Sequence, residues 1–353
     1  MSRIEARALR EFCISLAKQY GVPEGEATIL IESLIDANLK GIDTHGVSRL
    51  QIYLKRVEEG LIDPGAVMEF NQGSSAAGVL DANNGFGQVA GVRGMEQAIS
   101  LARTHGTGAV GIRNSQHFGA AGYYCEKAVR EEFIGLTLTN SEPAMPPWGG
   151  YEAFFGTNPI ALGVPTGTGP PILIDLSTSI VARGQIIAAS QRGDSIPEGW
   201  AVDSKGNITT EPEKALEGAV LPMAGAKGYA LALLVDLLSG VLSGAGFGDR
   251  IGSMYENFTR TANVGHFAMV LNIEAFLDKE TLFKRVDALR EALKSLDTRP
   301  DADEIRLPGE RSYRTREERV QEGIPVGDEV VEQLKTLADA VEMSLPESIH
   351  SEN

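Results

Sequence analysis

The sequence predicts a mixed α/β protein in which helical chain ends pack together around a central sheet. Three observations carry that expectation. Residues 1–70 and 279–353 are written in helical periodicity. Residues 71–278 hold short apolar runs broken by Gly, Pro and Asn, which is how strands and their turns are punctuated. The regular strand–helix alternation of a doubly wound parallel sheet is missing.

Each element follows from its residues. Residues 4–20 read as one amphipathic helix, and GVPEGEATILIESLIDANLKGI gives a second, opening near Pro23. A third begins at DTHGVSRLQIYLKRVEEG and ends before Pro64, which cannot continue a helix. Residues 70–82 and 107–164 turn strand-like, and FIGLTLTNS, NPIALGVPT and PPILIDLST each read as a strand ending in polar residues. GHFAMVLNIEAF is a further strand leading into a turn. KETLFKRVDALREALKSL and VGDEVVEQLKTLADAVEM are helical, and the tail SIHSEN is expected to fray.

Two stretches invite a wrong reading. GTGAVG, residues 106–111, spells G-x-G-x-x-G. A dinucleotide turn must follow a strand and open a helix. Here VRGMEQAISLART, with Val92, Met95, Ile99 and Leu101 near helical spacing, comes first, and the β-leaning AVGIRNS follows. Gly106 is therefore expected to end a helix in the left-handed conformation. YALALLVDLLSGVLSGAGF, residues 229–247, is long enough to cross a membrane. Asp236 in its middle would cost about 2.5–3.5 kcal/mol on insertion, and no Lys/Arg-rich flank follows. A buried core helix over 228–239, then a turn, is the expectation.

The chain has 353 residues and a net charge of −16. That balance argues against nucleic acid and anionic membrane surfaces as partners. It leaves room for a small anionic substrate, because one buried arginine sets the local field. Cys13 and Cys125 are far apart and match no zinc or redox spacing, so two reduced thiols in the cytoplasm are expected. The first twenty residues carry charges throughout and show no secretory pattern.

Several stretches could carry chemistry. In DTHGVSRL, His45 and Arg49 are four apart, one helical turn. Arginine can clamp a carboxylate at two points, and a neighbouring imidazole can give or take a proton. The alternative is a surface arginine beside a capping region at Asp43 or Thr44. His117, in NSQHFGAAGYY, sits at a strand end before small residues, where either a site residue or a structural histidine belongs. Asp175, Leu176, Ser177 and Thr178 end a strand, placed to hold phosphate or ribose, or simply to turn. Lys227 between Gly225 and Gly228, ahead of an apolar helix, suits an anion or is a solvated loop lysine. LPGERSY reads as a Pro-Gly turn followed by charges. A metal triad of His45, His117 and Asp175 has no supporting spacing, so no metal is expected. No G-x-S-x-G elbow supports a serine hydrolase.

Taken together, DTHGVSRL, NSQHFGAAGYY, NPIALGVPT, VARGQIIAASQRGDSIPEGWAVDSKGNITTEP, KGYALALLVDLLSGVLSGAGFG, GHF and LPGER resemble, in order and spacing, the type 2 malate/L-lactate dehydrogenase family. The resemblance runs from about residue 5 to 340. It implies an NAD(P)-dependent oxidoreductase of small 2-oxo and 2-hydroxy acids, with NAD ahead of NADP. It also implies a non-Rossmann cofactor domain with a mostly antiparallel sheet, a helical domain built from both ends, and a homodimer with sites near the subunit interface. By motif, Arg49 would grip the substrate carboxylate, with Thr44 and Ser141 nearby, and His45 and His117 would both be candidates for the proton donor and acceptor. The cofactor would contact Ser141, Asp175, Leu176, Ser177, Thr178, Lys227, Gly228, Pro308, Gly309 and Glu310. Thr44 replaces the serine of many members, and MAGA before Lys227 replaces a glycine pair and an aromatic. Reduction of a cyclic imino acid or a diketogulonate-like substrate is the family alternative, and a metal-dependent lyase or hydrolase the remote one.

Overall fold

A computed structural model of the chain describes residues 2–255, 258–346 and 349. Strand β1 (Ser2–Ile4) leads into helices α1 (Ala6–Gln19), α2 (Glu24–Leu39) and α3 (Leu50–Glu58). Between α2 and α3 the spacing of His45 and Arg49 predicts a continuous helix. Two 3-10 turns, Asp43–His45 and Val47–Arg49, stand there instead. Gly46 separates them in an extended conformation, φ −87° and ψ −155°. A Cβ at Gly46 would lie 2.2 Å from Asn38 Oδ1. That Asn38 side chain accepts from the Val47 amide at 2.9 Å and donates to Asp43 Oδ1 at 2.7 Å. Side-chain hydrogen bonding across the turn overrides the local helical period.

The middle of the chain builds a seven-stranded sheet. Its early elements are β2 (Glu69–Gln72), β3 (Ala77–Asp81), α4 (Gly87–His105), β4 (Thr107–Ser115), α5 (Gly122–Arg130), β5 (Ile134–Thr139), β6 (Ile160–Val164) and β7 (Ile172–Leu176). Gly106 closes α4 with φ 82°, the left-handed residue that turns the chain into β4. GTGAVG is thus a helix-to-strand joint.

A smaller layer follows, made of α6 (Arg183–Arg192), β8 (Ala201–Val202), β9 (Ile208–Thr209), α7 (Pro212–Glu217) and β10 (Ala219–Val220). Its three strands run in the order β10-β8-β9 over a core of its own that includes Ile186, Ala201 and Val220. Two-residue strands are too short to leave a period, so this layer is absent from the sequence reading.

Helix α8 (Ala226–Asp236) continues as a π-helical turn, Leu237–Leu242, and β11 (Val264–Leu271) returns to the large sheet. The sheet order is β2-β3-β4-β11-β5-β6-β7. Only β3 and β4, joined by the α4 crossover, pair in parallel, and the other five pairings are antiparallel. The α8 segment is not the fully buried helix expected. One stripe of it, Leu234, Leu237 and Val241, is 44%, 47% and 52% exposed. Asp236 faces inward, where Asn140 Nδ2 donates to its Oδ1 at 2.9 Å and the Gly248 amide to its Oδ2. Among the described residues, no helix is long and apolar enough to cross a membrane.

The chain ends in α9 (Lys279–Lys294), α10 (Glu310–Glu322), β12 (Ile324–Val326) and α11 (Asp328–Ala340). β12 pairs antiparallel with β1, and Leu9, Leu16, Leu30 and Leu34 share one core cluster with Ile324, Leu334 and Leu337. Ile349, in the tail expected to fray, is buried in that cluster, while residues 348 and 350–353 lie outside the described residues. α9 sits elsewhere. Its Arg290 donates to the carbonyls of Thr168 and Pro170, and Asp287 accepts from Thr168, all in the β6–β7 loop.

LPGERSY, which opens α10, was expected as a Pro-Gly turn followed by charges within a helical C-terminal part. The α10 sequence ERSYRTREERVQE has no apolar stripe, so its helical period is invisible. Charge fixes it instead. Lys40, 5% exposed, lies 2.6 Å from both Asp36 and Glu126. Tyr313 donates to Glu126 at 2.8 Å, Arg316 pairs with Asp36, and Arg319 reaches Asp43 at 2.7 Å. α10 therefore holds Asp43, next to the turns that carry His45 and Arg49.

Candidate active site

The two 3-10 turns, the end of β4 and the loop after β5 meet in one cavity of about 270 Å³. His45, Arg49, Tyr53, His117 and Ser141 line it, together with Arg183, the first residue of α6. Sequence spacing alone did not show that residues 45, 49, 117 and 141 share a wall. Thr44 stands behind the cavity, its hydroxyl 3.1 Å from His45 Nδ1. Arg49 Nε donates to the Thr44 carbonyl at 2.6 Å, which fixes the guanidinium and leaves its two terminal nitrogens without a hydrogen bond among the described residues. The Tyr255 ring lies 5.3 Å from that guanidinium and supports its face.

The two candidate histidines are neighbours. Their ring centroids are 5.7 Å apart and the planes differ by 25°. Tyr53 Oη lies 2.6 Å from His117 Nδ1. Nδ1 is thereby occupied, and Nε2 remains for a bound molecule. Behind them His266, fully buried, holds Thr139 at 2.7 Å with Nδ1 and Ser115 at 2.8 Å with Nε2, and stacks on Phe118 at 4.3 Å. With both nitrogens engaged inside the sheet, His266 is structural.

Electrostatics keep these imidazoles neutral. Burial first, and then the Arg49 charge, lower the His45 pKa to about 4. Burial, then His45, Arg49 and His266, hold His117 well below the usual imidazole value. A bound carboxylate would neutralise Arg49 and relieve part of that depression. The site is thus a fixed cation beside a pair of imidazoles whose proton affinity rises when an anion arrives.

The candidate cofactor residues form a track leading away from the cavity. Thr157 lines the cavity, and its carbonyl accepts from the Thr178 amide at 2.9 Å and from the Thr178 hydroxyl at 3.0 Å. The Thr178 carbonyl in turn accepts from the Met223 amide, and a Cβ at Gly228 would lie 2.8 Å from that same carbonyl. Gly228 is therefore the residue that lets α8 approach β7. Lys227 beside it is exposed and makes no ion pair among the described residues. Leu176 and Ser177 continue the strand end. The Asp175 carboxylate accepts from the Gly122 amide at 2.8 Å. The Pro308 carbonyl accepts from the Leu173 amide, Gly309 has φ 95°, and Glu310 opens α10 beside it. Residues 175–178, 227–228 and 308–310 thus gather around the exposed edge strand β7 and lie outside the cavity itself. Asp175 does not join His45 and His117, and among the described residues no group of three metal-ligating side chains is present.

Residue types alone missed Tyr53, Arg183, Glu142 and Arg56. Tyr53 follows Arg49 by four positions, so continuing the His45–Arg49 stripe would have found it. Arg183 and Glu142 come from segments with no period to extrapolate.

The chain resembles known proteins along nearly all its length. A family model described as malate/L-lactate dehydrogenase matches residues 4–335. A malate dehydrogenase of Pyrococcus abyssi is 39% identical over 347 residues, covering 96% of this chain and 95% of that protein. An NAD+ ureidoglycolate dehydrogenase of Escherichia coli is 33% identical over 340 residues, 96% of each chain. The solved structure of sulfolactate dehydrogenase from Methanocaldococcus jannaschii superposes with a TM-score of 0.91 at 37% identity, covering 97% of this chain and 98% of that one.

Proposed function

The chain belongs to the malate/L-lactate dehydrogenase family, and we propose that its cavity transfers hydride between a nicotinamide cofactor and the 2-carbon of a small 2-oxo or 2-hydroxy acid. The observation that carries this reading is the grouping of the Arg49 guanidinium with His45 and His117 in one cavity. The cofactor is NAD or NADP. When bound, it supplies or accepts the hydride.

The chain's own residues do the rest. Arg49 presents its terminal nitrogens to the substrate carboxylate and sets the position of the neighbouring carbon, and such positioning supplies much of the rate. The histidine pair gives one proton to the substrate oxygen in reduction and takes it back in oxidation. At 5.7 Å apart and beside a cation, the two rings disfavour double protonation, so a single proton serves the pair during turnover. Tyr53 fixes His117 so that Nε2 faces the oxygen.

The track outside the cavity fits a dinucleotide. Ser141 and Thr157 stand at the mouth, and Asp175, Leu176, Ser177 and Thr178 continue to the sheet edge. Lys227, which makes no ion pair among the described residues, offers a cation for the phosphates, with Gly228 allowing close approach. Pro308, Gly309 and Glu310 close the far end. This is a cofactor site on the edge of a mostly antiparallel sheet, unlike the Rossmann arrangement at the carboxyl ends of parallel strands. The helices of both chain ends act as a second domain that carries Arg49 to it. The exposed stripe Leu234, Leu237 and Val241 is the surface we assign to a homodimer contact. Cys13 and Cys125 are both buried free thiols, in keeping with a cytoplasmic protein.

The test is a panel of 2-oxo acids and cyclic imino acids assayed by loss of NADH and NADPH absorbance. Turnover of a 2-oxo acid is expected. Turnover of imino acids alone would move the reading to the family's imine reductases, and no turnover at all would end it.

A further inference from the structure

We propose that the buried amide of Gln88 is the second partner of the Tyr53 phenol, and that it thereby fixes the tautomer of His117 that leaves Nε2 bare to take the substrate proton. Gln88 is a positioning residue, because it acts through Tyr53. The inference rests on reading the cavity as the hydroxy acid site.

Gln88 lies in the first turn of α4. It has no exposed surface, and neither its Nε2 nor its Oε1 has a hydrogen-bond partner among the described residues. An unpaired polar group in the interior costs about 1–3 kcal/mol. A leucine of similar size would remove that cost, so fold stability does not explain why an amide stands here.

The surroundings tie this turn to the histidine site. Phe86 and Val89, on either side of Gln88, share one core cluster with Tyr53. A Cβ at Gly87 would lie 2.2 Å from the Gln116 carbonyl oxygen and 2.5 Å from that of His117. The start of α4 is thus pressed on the backbone that carries His117. The amide also acts on the phenol. Burial raises the Tyr53 pKa, and Arg49 and Gln88 oppose that rise.

Hydrogen placement then decides what His117 can do. Tyr53 is 1% exposed, and its oxygen meets His117 Nδ1 at 2.6 Å. Two arrangements satisfy that contact. In one, the phenol donates to Nδ1, the neutral ring carries its hydrogen on Nε2, and Nε2 has no lone pair to offer. In the other, Nδ1–H donates to the phenol oxygen and Nε2 is bare. Hydroxy acid oxidation needs the second. It turns the phenol hydrogen away from His117, and a buried hydroxyl needs an acceptor for it. Gln88 Oε1 is a buried acceptor with no other donor. Nδ1 then keeps its hydrogen while Nε2 gains and loses the proton, and the chain from His117 through Tyr53 to Gln88 holds in both states. Hydrogen bonds of acid–base groups are often loose in a free enzyme and tighten in the Michaelis complex.

NMR of protein labelled with 15N-histidine reads the tautomer, with the His117 signals assigned by their loss in His117→Gln. In the wild type the neutral ring should carry its hydrogen on Nδ1. In Gln88→Leu the phenol should turn to Nδ1 and the hydrogen should move to Nε2. Gln88→Glu, which keeps an acceptor oxygen, should return it to Nδ1. With a 2-hydroxy acid, Gln88→Leu should lower kcat by about 10-fold, the scale of one buried hydrogen bond, and change KM by less than about 2-fold. Gln88→Glu should recover part of that loss. A wild type with the hydrogen on Nε2, or a Gln88→Leu variant with unchanged tautomer, would overturn the proposal. The wild-type spectrum decides even where Gln88→Leu does not fold. A tautomer that shifts in Gln88→Leu, in a protein whose wild type turns over no 2-hydroxy acid, would support the Gln88 assignment and overturn the hydride-transfer reading alone.

Discussion

Tyr53 Oη meets His117 Nδ1 at 2.6 Å, inside the cavity and beneath the Arg49 turn. Burial raises the Tyr53 pKa, so the phenol keeps its proton at neutral pH. A hydroxyl can donate to the neutral ring or accept from the protonated one, which holds the imidazole in place through a proton transfer. Tyr53→Phe should lower kcat by about 10-fold with little change in KM, a fraction of the 10²–10⁴ that acid–base catalysis supplies. Steady-state kinetics on a variant with unaltered circular dichroism checks this. An unchanged kcat would remove Tyr53 from the mechanism.

The depressed imidazoles set the pH profile. In hydroxy acid oxidation the pair must be neutral to take a proton. With His45 at about 4, the acid limb of kcat/KM should lie well below the ordinary imidazole value near 6.5. The limb of kcat should lie at higher pH, because a bound carboxylate offsets the Arg49 charge. Both limbs coinciding near 6.5 would contradict the burial argument.

The same burial makes the fold acid-sensitive. His266 has no exposed surface and its pKa is lowered to about 3, chiefly by burial. An unfolded histidine binds its proton near pH 6.5, so between about 6.5 and 3 the unfolded state holds more protons than the folded one. Stability therefore rises with pH through that window and is lost as pH falls, by a few kcal/mol for this group. Urea denaturation at a series of pH values should show the decline beginning below about 6.5. A flat profile down to pH 4 would refute it.

Gly46→Ala should cost roughly 2–4 kcal/mol, because the new methyl would occupy the space of the Asn38 amide, which is itself held by Val47 and Asp43. Activity should fall with it, since Asn38 shapes the turns that carry His45 and Arg49. Thermal denaturation with parallel assays measures both. A fully stable variant would mean that the turn can repack.

Leu237→Glu tests the assigned subunit contact. Sedimentation should give a dimer for the wild type and a monomer for the variant, since a buried unpaired charge opposes association by several kcal/mol. A wild type that sediments as a monomer removes the assignment.

Much of this protein was legible in its residues, and what was not had physical causes. Gly106 declared itself because helix comes before it and strand after, which a cofactor turn cannot tolerate. The strands of the large sheet were long enough to show their period. The His45–Arg49 pair was found by a helical spacing that the structure does not keep. It survives because two 3-10 turns around Gly46 still bring both side chains to the cavity. Within the helical C-terminal part the start of α10 at Glu310 was not legible, because charge rather than apolar periodicity holds it. The exposed stripe Leu234, Leu237 and Val241 was hidden for the opposite reason, since an apolar run reads like a core helix whether or not the fold covers it. Arg183 has no pattern at all, and only the fold brings it beside His45.

The most direct test of the central claim is KM for the preferred 2-oxo acid in wild type and Arg49→Ala, followed by loss of nicotinamide absorbance. Removing a two-point charged contact should raise KM by about 100-fold, with Arg49→Lys in between. A KM unchanged in Arg49→Ala would contradict the carboxylate clamp and the mechanism built on it.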